Sequence, residues 1–386
     1  MTGRRRALQN RGAHGRASTV HHMPGPASLT TIRRRIDRID DQLLRLLNRR
    51  ARLVLAVGEH KQRERAAVYV PDREHAVLSR LARGNGGPLA APHVRAIFGE
   101  IISACRGLEQ RLRVAYLGPE ATYSHLAARR HFGASPDYVT SPTVSDVFRD
   151  VEGGRADLGV VPVENSSEGM VAHTLDLLVE SPLSICAELT LAVRHCLLAR
   201  PGTALADLRR VVAHPQALAQ CRQWLAAHCP GVPTVEESSN ARAAVRACEE
   251  TGTAAIAAAE AAATYKLAVL ARDIQDRPGN VTRFLVLARH DSETPSGDDK
   301  TSLVMSVRDE TGVLARMLRP FAAHRIDLIK IESRPLRERP WEYYFFLDLK
   351  GHRREPRVAR ALAAVERRAL RLRVLGSYAA APDPEL

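Results

Sequence analysis

Four places in the chain bring polar side chains with chemistry to the ends of apolar runs. Val160–Val163 delivers Glu164, Asn165, Ser166 and Ser167 together, a carboxylate, an amide and two hydroxyls at the end of what reads as a core strand. Thr282 and Arg283 open a second run, FLVLA. Gly118-Pro119 leads to Thr122, Tyr123 and Ser124, and RRVVAH leads to Pro215, Gln216 and Gln220, with Ser238 and Ser239 further on. Groups of this kind can hydrogen-bond a polar ligand held in a crevice. Each also has a plain alternative as a helix cap, a loop end or the first residue of a strand. Recurrence favours a site, because open α/β domains end several strands in such groups around one ligand crevice.

A second constellation is cationic. Arg50 falls on the apolar seam of a helical pattern, between Leu46/Leu47 and Val54, and Lys61 follows eleven positions later. That spacing is almost three turns, so both project from one face. A buried cation without a partner is expensive. Either both reach solvent or neighbouring acids, or they line a small cavity for an anion with two carboxylates.

The elements that must hold these groups change character along the chain. Residues 29–110 read as all helix, with Ile32, Ile36, Ile39, Leu43, Leu46, Leu47, Leu53, Val54 and Val57 keeping a helical period. That first helix is long for a globular one, which predicts packing against a partner chain. Pro71-Asp72 starts a second helix, GNGGP at 84–88 breaks it, and a third carries Val94, Ile97, Phe98, Ile101, Ile102, Cys105 and Leu108. From 111 to 290 short apolar runs alternate with helical segments, which predicts an α/β domain with strands buried on two faces. Residues 291–300 read as a polar linker. Residues 301–376 give strand, helix, strand, strand, helix and a short last strand, and 377–386 read as a disordered tail.

Composition narrows the function. The net charge of +14 invites a nucleic-acid partner, yet five lysines stand against 52 arginines and aromatics are 4%. Residues 1–28 read as a basic, disordered tail by their lack of periodicity, and Met23 is a candidate start. No run of 18 apolar residues predicts a membrane span. Six cysteines without CxxC spacing read as reduced thiols of a cytoplasmic protein.

Arg33, Arg50, Lys61, Arg73-Glu74 and EIISAC resemble the helical type of chorismate mutase fused to prephenate dehydratase. That resemblance implies an all-α dimer whose long first helix spans both subunits, each site borrowing an arginine from the partner. Arg33, Arg50 and Lys61 would hold substrate carboxylates and the ether oxygen, and Glu74 the ring hydroxyl, with Arg73, Cys105 and Glu109 lining the site. The chain departs from the family at Val70, Cys105 and Glu109, where Asp, Ser and Gln are common. Glu109 would have to be protonated to donate, which favours activity at lower pH.

YLGPEATYSHLAA, VVPVENSSEGMVAHTLDLL, VAHPQALAQC with ESSNARAA, and NVTRF resemble prephenate dehydratase across residues 111–290. The resemblance implies a two-lobed, periplasmic-binding-like α/β fold. Thr282 would serve the departing hydroxyl and Arg283 a carboxylate, with Glu164 and Asn165 beside them. Thr122, Ser124, Gln220, Ser238, Ser239 and Phe284 would line the pocket. Ala121 stands where relatives carry glycine, and Ala213 where some carry Ser.

DETGVLARMLRPFAAHRIDLIKIESRP is similar to the ACT regulatory module, an α+β ferredoxin-like fold. Gly312, Val313 and Leu314, with Glu332, Ser333, Arg334 and Pro335, would bind phenylalanine. Thr311, Val313 and Arg325 replace the more usual Pro, Ala and Gly. Together these imply chorismate and prephenate as substrates, a homodimer or larger oligomer, and no cofactor, metal, nucleic acid or membrane. Alternatives are an arogenate-preferring dehydratase, a dehydratase with a weak mutase, and a non-enzymatic cytoplasmic ligand sensor.

Overall fold

The computed structural model describes residues 28–64, 67–290, 292–308, 310–335 and 343–381. The expected N-terminal tail, apart from Ser28, and residues 382–386 lie outside the described residues. Three helices come first: α1 (Leu29–Glu64), α2 (Pro71–Arg83) and α3 (Ala91–Glu109). On α1 the periodic residues Ile32, Ile36, Ile39, Leu43, Leu46 and Leu53 are each 44–64% exposed. Its one buried residue is Gly58, where a Cβ would lie 2.7 Å from Glu109 Cγ. Glycine therefore lets α3 come close to this end of α1. Pro71, Asp72 and Glu74 open α2, where a fixed φ and two acids suit a helix start.

The central domain alternates strand and helix as expected. Its first part runs β1 (Arg113–Leu117), α4 (Tyr123–Phe132), β2 (Asp137–Ser141), α5 (Val144–Glu152), β3 (Leu158–Asn165), β4 (Gly169–Met170), α6 (Ala172–Glu180) and β5 (Ser184–Ala192). A second part follows with β6 (Cys196–Ala199), β7 (Arg210–Ala213), α7 (Pro215–Gln220), α8 (Arg222–His228), β8 (Thr234–Glu236), α9 (Asn240–Glu249), β9 (Thr253–Ala257), α10 (Ala259–Thr264) and β10 (Ala268–Ala271). The chain then returns through β11 (Val281–Ala288). One sheet is ordered β2-β1-β3-β11-β5, with β4 paired to β3, and the other β10-β6-β9-β7-β8. β11 is antiparallel to both β3 and β5. Burial on two faces explains its continuous apolar run: Leu285 and Leu287 enter one core, Phe284 and Val286 the other.

The C-terminal domain is β12 (Asp299–Ser306), α11 (Val313–Ala323), β13 (Leu328–Pro335), β14 (Tyr343–Lys350), α12 (Pro356–Glu366) and β15 (Arg371–Ala379), in the sheet order β13-β14-β12-β15. One face of this sheet carries the helices, with Leu303, Met305, Phe321 and Val358 in their core. The other face lies on the central domain: Val304, Phe346, Leu375 and Tyr378 share a core with Val163, Leu175, Ile185 and Leu285.

Two expected boundaries are corrected. Residues 377–379 continue β15 rather than a tail, and Ser377 and Tyr378 are fully buried. Small polar residues near a terminus read as solvated, but here Thr301 and Ser302 of β12 take their hydroxyls. The linker is shorter than expected too, because Asp299 and Lys300 already belong to β12 and Ser292 is buried against Asp72 of α2.

Candidate active sites

In the central domain, β3 and β11 meet with Asn165 opposite Thr282 and Glu164 opposite Arg283. Successive residues of a strand point to opposite faces. Thr282 and Asn165 therefore look one way and Arg283 and Glu164 the other. Val163 is left unpaired where the register shifts, and this bulge turns Glu164 to the side of Arg283.

The Thr282 face holds a chain of hydrogen bonds whose polarity can be read from the backbone outward. Asn165 Oδ1 accepts the amides of Ser167 (2.9 Å) and Glu168 (3.2 Å), so its Nδ2 must face the site. That nitrogen donates to Asn280 Oδ1 and to Thr282 Oγ1, both at 2.9 Å. Asn280 Nδ2 then donates to Gln220 Oε1 at 3.0 Å, which leaves that oxygen to accept from His195 Nε2 at 2.9 Å. His195 therefore carries a proton on Nε2, and burial lowers its pKa against the bond to Gln220. Tyr123 Oη lies 3.1 Å from His195 Nδ1 and donates to Arg194 O at 2.7 Å. Two consequences matter for chemistry. Thr282 accepts one bond from Asn165, and its own proton is left to donate. Gln220 Nε2 is buried with no hydrogen-bond partner among the described residues.

Arg283 does not join this group, contrary to the expectation that it holds a substrate carboxylate. Its guanidinium donates to Glu188 Oε2 (2.7 Å), Asp348 Oδ2 (2.6 Å) and Tyr378 Oη (3.0 Å) on the C-terminal-domain side. Glu164 sits on that side as well, paired with Lys330. Phe284 is also corrected: it is 1% exposed and packs in the core. Thr122 caps α4, accepting from His125 N and donating to Leu117 O, and Ser239 caps α9. Ser124 is buried and Ser238 exposed. Ser166 does not cap α6, whose start at Ala172 has no side-chain cap. It ties the turn to β11 instead, accepting from Val281 N at 2.9 Å.

His195 and Asn280 were not anticipated. Asn280 shares the parity of Thr282, a usable signal; His195 lies in the β5–β6 connection with no local pattern.

Comparison with known proteins gives three domain matches in the same order. A model of "Chorismate mutase type II" matches residues 32–110, one of "Prephenate dehydratase" residues 114–292, and one of "ACT domain" residues 301–367. A bifunctional chorismate mutase/prephenate dehydratase of Aquifex aeolicus is 45% identical over 354 residues, 91% of this chain and 97% of the relative. One from Stutzerimonas stutzeri is 45% identical with the same coverage. The chain belongs to the bifunctional chorismate mutase/prephenate dehydratase family. A solved prephenate dehydratase from Arthrobacter aurescens, in complex with L-Phe, is 37% identical, with a TM-score of 0.66 over 70% of this chain and 90% of that one.

In the mutase domain, Lys61 Nζ pairs with Glu109 Oε1 at 2.9 Å and donates to Val68 O at 3.0 Å. Glu74 accepts from the buried Arg106 at 2.6 Å, Cys105 is buried and Arg73 exposed. Arg33 is exposed on α1, and Arg50 carries a buried Nη1 without a hydrogen-bond partner among the described residues.

In the ACT domain, Gly312 sits at φ 72° at the start of α11, with Val313 and Leu314 half-buried behind it. Arg325 adopts φ 53°, a left-handed conformation that explains the usual glycine. Along β13, Glu332 and Arg334 turn inward while Ser333 and Pro335 are exposed. Arg334 reaches Asp176 of α6 at 3.0 Å. No helix among the described residues is long and apolar enough to cross a membrane.

Proposed function

We propose that the chain rearranges chorismate to prephenate in its helical domain and converts prephenate to phenylpyruvate in its central domain. Phenylalanine bound to the ACT domain inhibits. The observation that carries the dehydratase reading is the amide chain ending at Thr282. Prephenate must lose the C4 hydroxyl with its bonding electrons and the ring carboxylate as CO2, whose electrons complete the aromatic ring; one proton is consumed in making water. Thr282, held by Asn165, donates a hydrogen bond to the departing oxygen as negative charge builds there. A threonine is no acid, so the proton itself comes from water at this face. Gln220 Nε2, an orphan donor, suits a substrate carboxylate.

The mutase step is pericyclic and needs cations placed at the ether oxygen and carboxylates, a task for Arg33, Arg50 and Lys61. The exposed apolar length of α1 suits a homodimer, in which a second copy covers it. The six cysteines, five of them buried, form no disulfide among the described residues, which suits a reducing compartment such as the cytoplasm.

The test supplies purified chain with chorismate, prephenate or arogenate and follows products with and without phenylalanine. Phenylpyruvate from prephenate is expected, with inhibition by phenylalanine. Its absence sinks the reading, and a preference for arogenate would redirect it.

A further inference from the structure

Arg106 is a buried cation with no part in either reaction as proposed. It lies on α3, the helix of Cys105 and Glu109, and its guanidinium divides its donors between two domains. Nη1 donates to Glu74 Oε1 of α2 at 2.6 Å, and Nη2 donates to Phe132 O at 2.8 Å. Phe132 is the last residue of α4, so its carbonyl has no partner within that helix and stands at the negative end of the helix dipole. Arg106 Cζ also sits 5.6 Å from the ring centroids of both Tyr69 and Phe132, within range for each ring to attract the charge. Tyr69 Oη lies in turn 2.7 Å from His131 Nε2 of α4.

The helix that carries Arg106 is itself fastened to the dehydratase domain. Glu100, Ser103, Arg106 and Gly107 share one face of α3 by their spacing. Glu100 Oε2 accepts from Ala134 N at 3.2 Å, and Ser103 Oγ accepts from Ser135 N at 3.3 Å. Gly133 takes φ 76°, and a Cβ there would lie 2.6 Å from Ser103. Arg106 therefore stands on a rigid base. Burying its charge is costly unless an anion meets it, and Glu74 supplies that anion. Arg106 occupies Oε1 alone. Oε2 carries no hydrogen bond among the described residues and is left to accept from a hydroxyl. A charge-assisted bond to a guanidinium that cannot swing fixes the carboxylate it meets.

We infer that Arg106 is a positioning residue of the mutase: braced on the end of α4, it holds the Glu74 carboxylate where Oε2 meets the ring hydroxyl of chorismate. The inference rests on the mutase reading and on Glu74 serving that hydroxyl. A wild-type chain that leaves chorismate unchanged removes that reading and the inference with it, whereas variants of an active chain test Arg106 itself.

The experiment uses the full chain with Arg106→Leu, Arg106→Lys, Glu74→Gln and the double variant of Arg106→Leu with Glu74→Gln. It reads kcat and KM for chorismate, with prephenate turnover of the same samples as the folding control. Arg106→Leu is expected to lower mutase kcat/KM tenfold or more, with prephenate turnover within twofold. Arg106→Lys keeps a cation beside Glu74 but cannot also bridge to Phe132 O, and is expected to fall between Arg106→Leu and wild type. The double variant is expected to stay within threefold of Glu74→Gln alone, because Arg106 acts through that carboxylate. A mutase within twofold of wild type in Arg106→Leu overturns the inference, as do losses that multiply in the double variant. A harmless Glu74→Gln beside a damaging Arg106→Leu overturns it too. Should Arg106→Leu lose prephenate turnover as well, Arg106→Lys decides in the same cycle with Glu74→Gln. A severalfold mutase loss that does not multiply supports the inference there, and an undiminished rate or multiplying losses overturn it.

Discussion

Asn165 and Thr282 face each other across the β3–β11 pair, and the amide of Asn165 donates to the Thr282 hydroxyl at 2.9 Å. The direction of that bond is set two residues away, by the amides of Ser167 and Glu168 on the other end of the same side chain. The ENSS turn therefore does more than end a strand. Its backbone decides which atom of Asn165 meets Thr282, and so which way the Thr282 proton points.

Replacing Asn165 by Asp tests this at constant size. The carboxylate still accepts the two turn amides but can no longer donate to Asn280 or Thr282. Thr282 then turns its proton toward the new acceptor and away from substrate. The expected loss is about 2–3 kcal/mol of transition-state stabilisation, on the order of a hundredfold in kcat. Steady-state kinetics with prephenate reads it, and a variant within threefold of wild type would show that the bond does not orient Thr282.

Much of this arrangement was legible in sequence, and the failures have physical causes. Long periodic helices and strands with a nearly continuous buried run, such as VVPV and FLVLA, announce themselves by their apolar pattern. β2 and β8 did not, since only one of the five residues of β2 is buried, none of β8 is, and neither shows a continuous apolar run. Adjacency in the motif suggests that Thr282 and Arg283 act as one catalytic pair, although strand alternation by itself separates them. The LRVLGSY run announces β15, but where the strand gives way to the tail is not legible, because the partners of Ser377 and Tyr378, namely Ser302, Thr301 and Arg283, lie more than 70 positions away in sequence. Nothing local marks His195, whose role comes from a loop crossing between the two sheets.

Asp176 offers a test of regulation apart from catalysis. Its carboxylate receives Arg334 of β13, within the segment read as the second phenylalanine motif. Both side chains are about a quarter exposed, so the pair itself contributes little to stability, about 1 kcal/mol or less. Asp176→Asn should leave prephenate kcat/KM within twofold and raise the phenylalanine concentration for half-inhibition severalfold. Binding of phenylalanine, followed by calorimetry, should persist. Loss of binding together with inhibition would place Asp176 in the effector site instead of in the connection to it.

Leu43 tests the partner for α1. It is 51% exposed in the single chain, among neighbours equally bare. Covering such a side chain in a dimer contributes about 2 kcal/mol, and a carboxylate in its place adds the desolvation of a charge. Leu43→Glu should therefore weaken the dimer by at least ~100-fold, seen by sedimentation. Mutase activity should fall with it, while prephenate turnover stays within threefold at concentrations where the chain is otherwise folded. A variant that remains dimeric with full mutase activity would remove α1 as the interface.

His131 gives the chain a pH dependence of known sign. Its ring packs against Phe132, and its Nε2 lies 2.7 Å from Tyr69 Oη. Burial, and secondarily the nearby Arg106 cation, push its pKa down to about 4 from 6.5. The unfolded chain therefore takes up a proton near pH 6.5 that the folded chain refuses until about 4. Stability is complete above the unfolded value and declines as pH falls through the window, by at most about 3 kcal/mol from this group. His75, His125 and His195 are shifted in the same direction, chiefly by burial, and act with the same sign. Glutamine at position 131 keeps a polar partner for Tyr69 and cannot titrate. The difference in urea midpoint between His131→Gln and wild type should shift in favour of the variant as pH is lowered from about 6.5 to about 4. A difference that stays constant across that window would show that the folded imidazole takes up its proton as readily as the unfolded one.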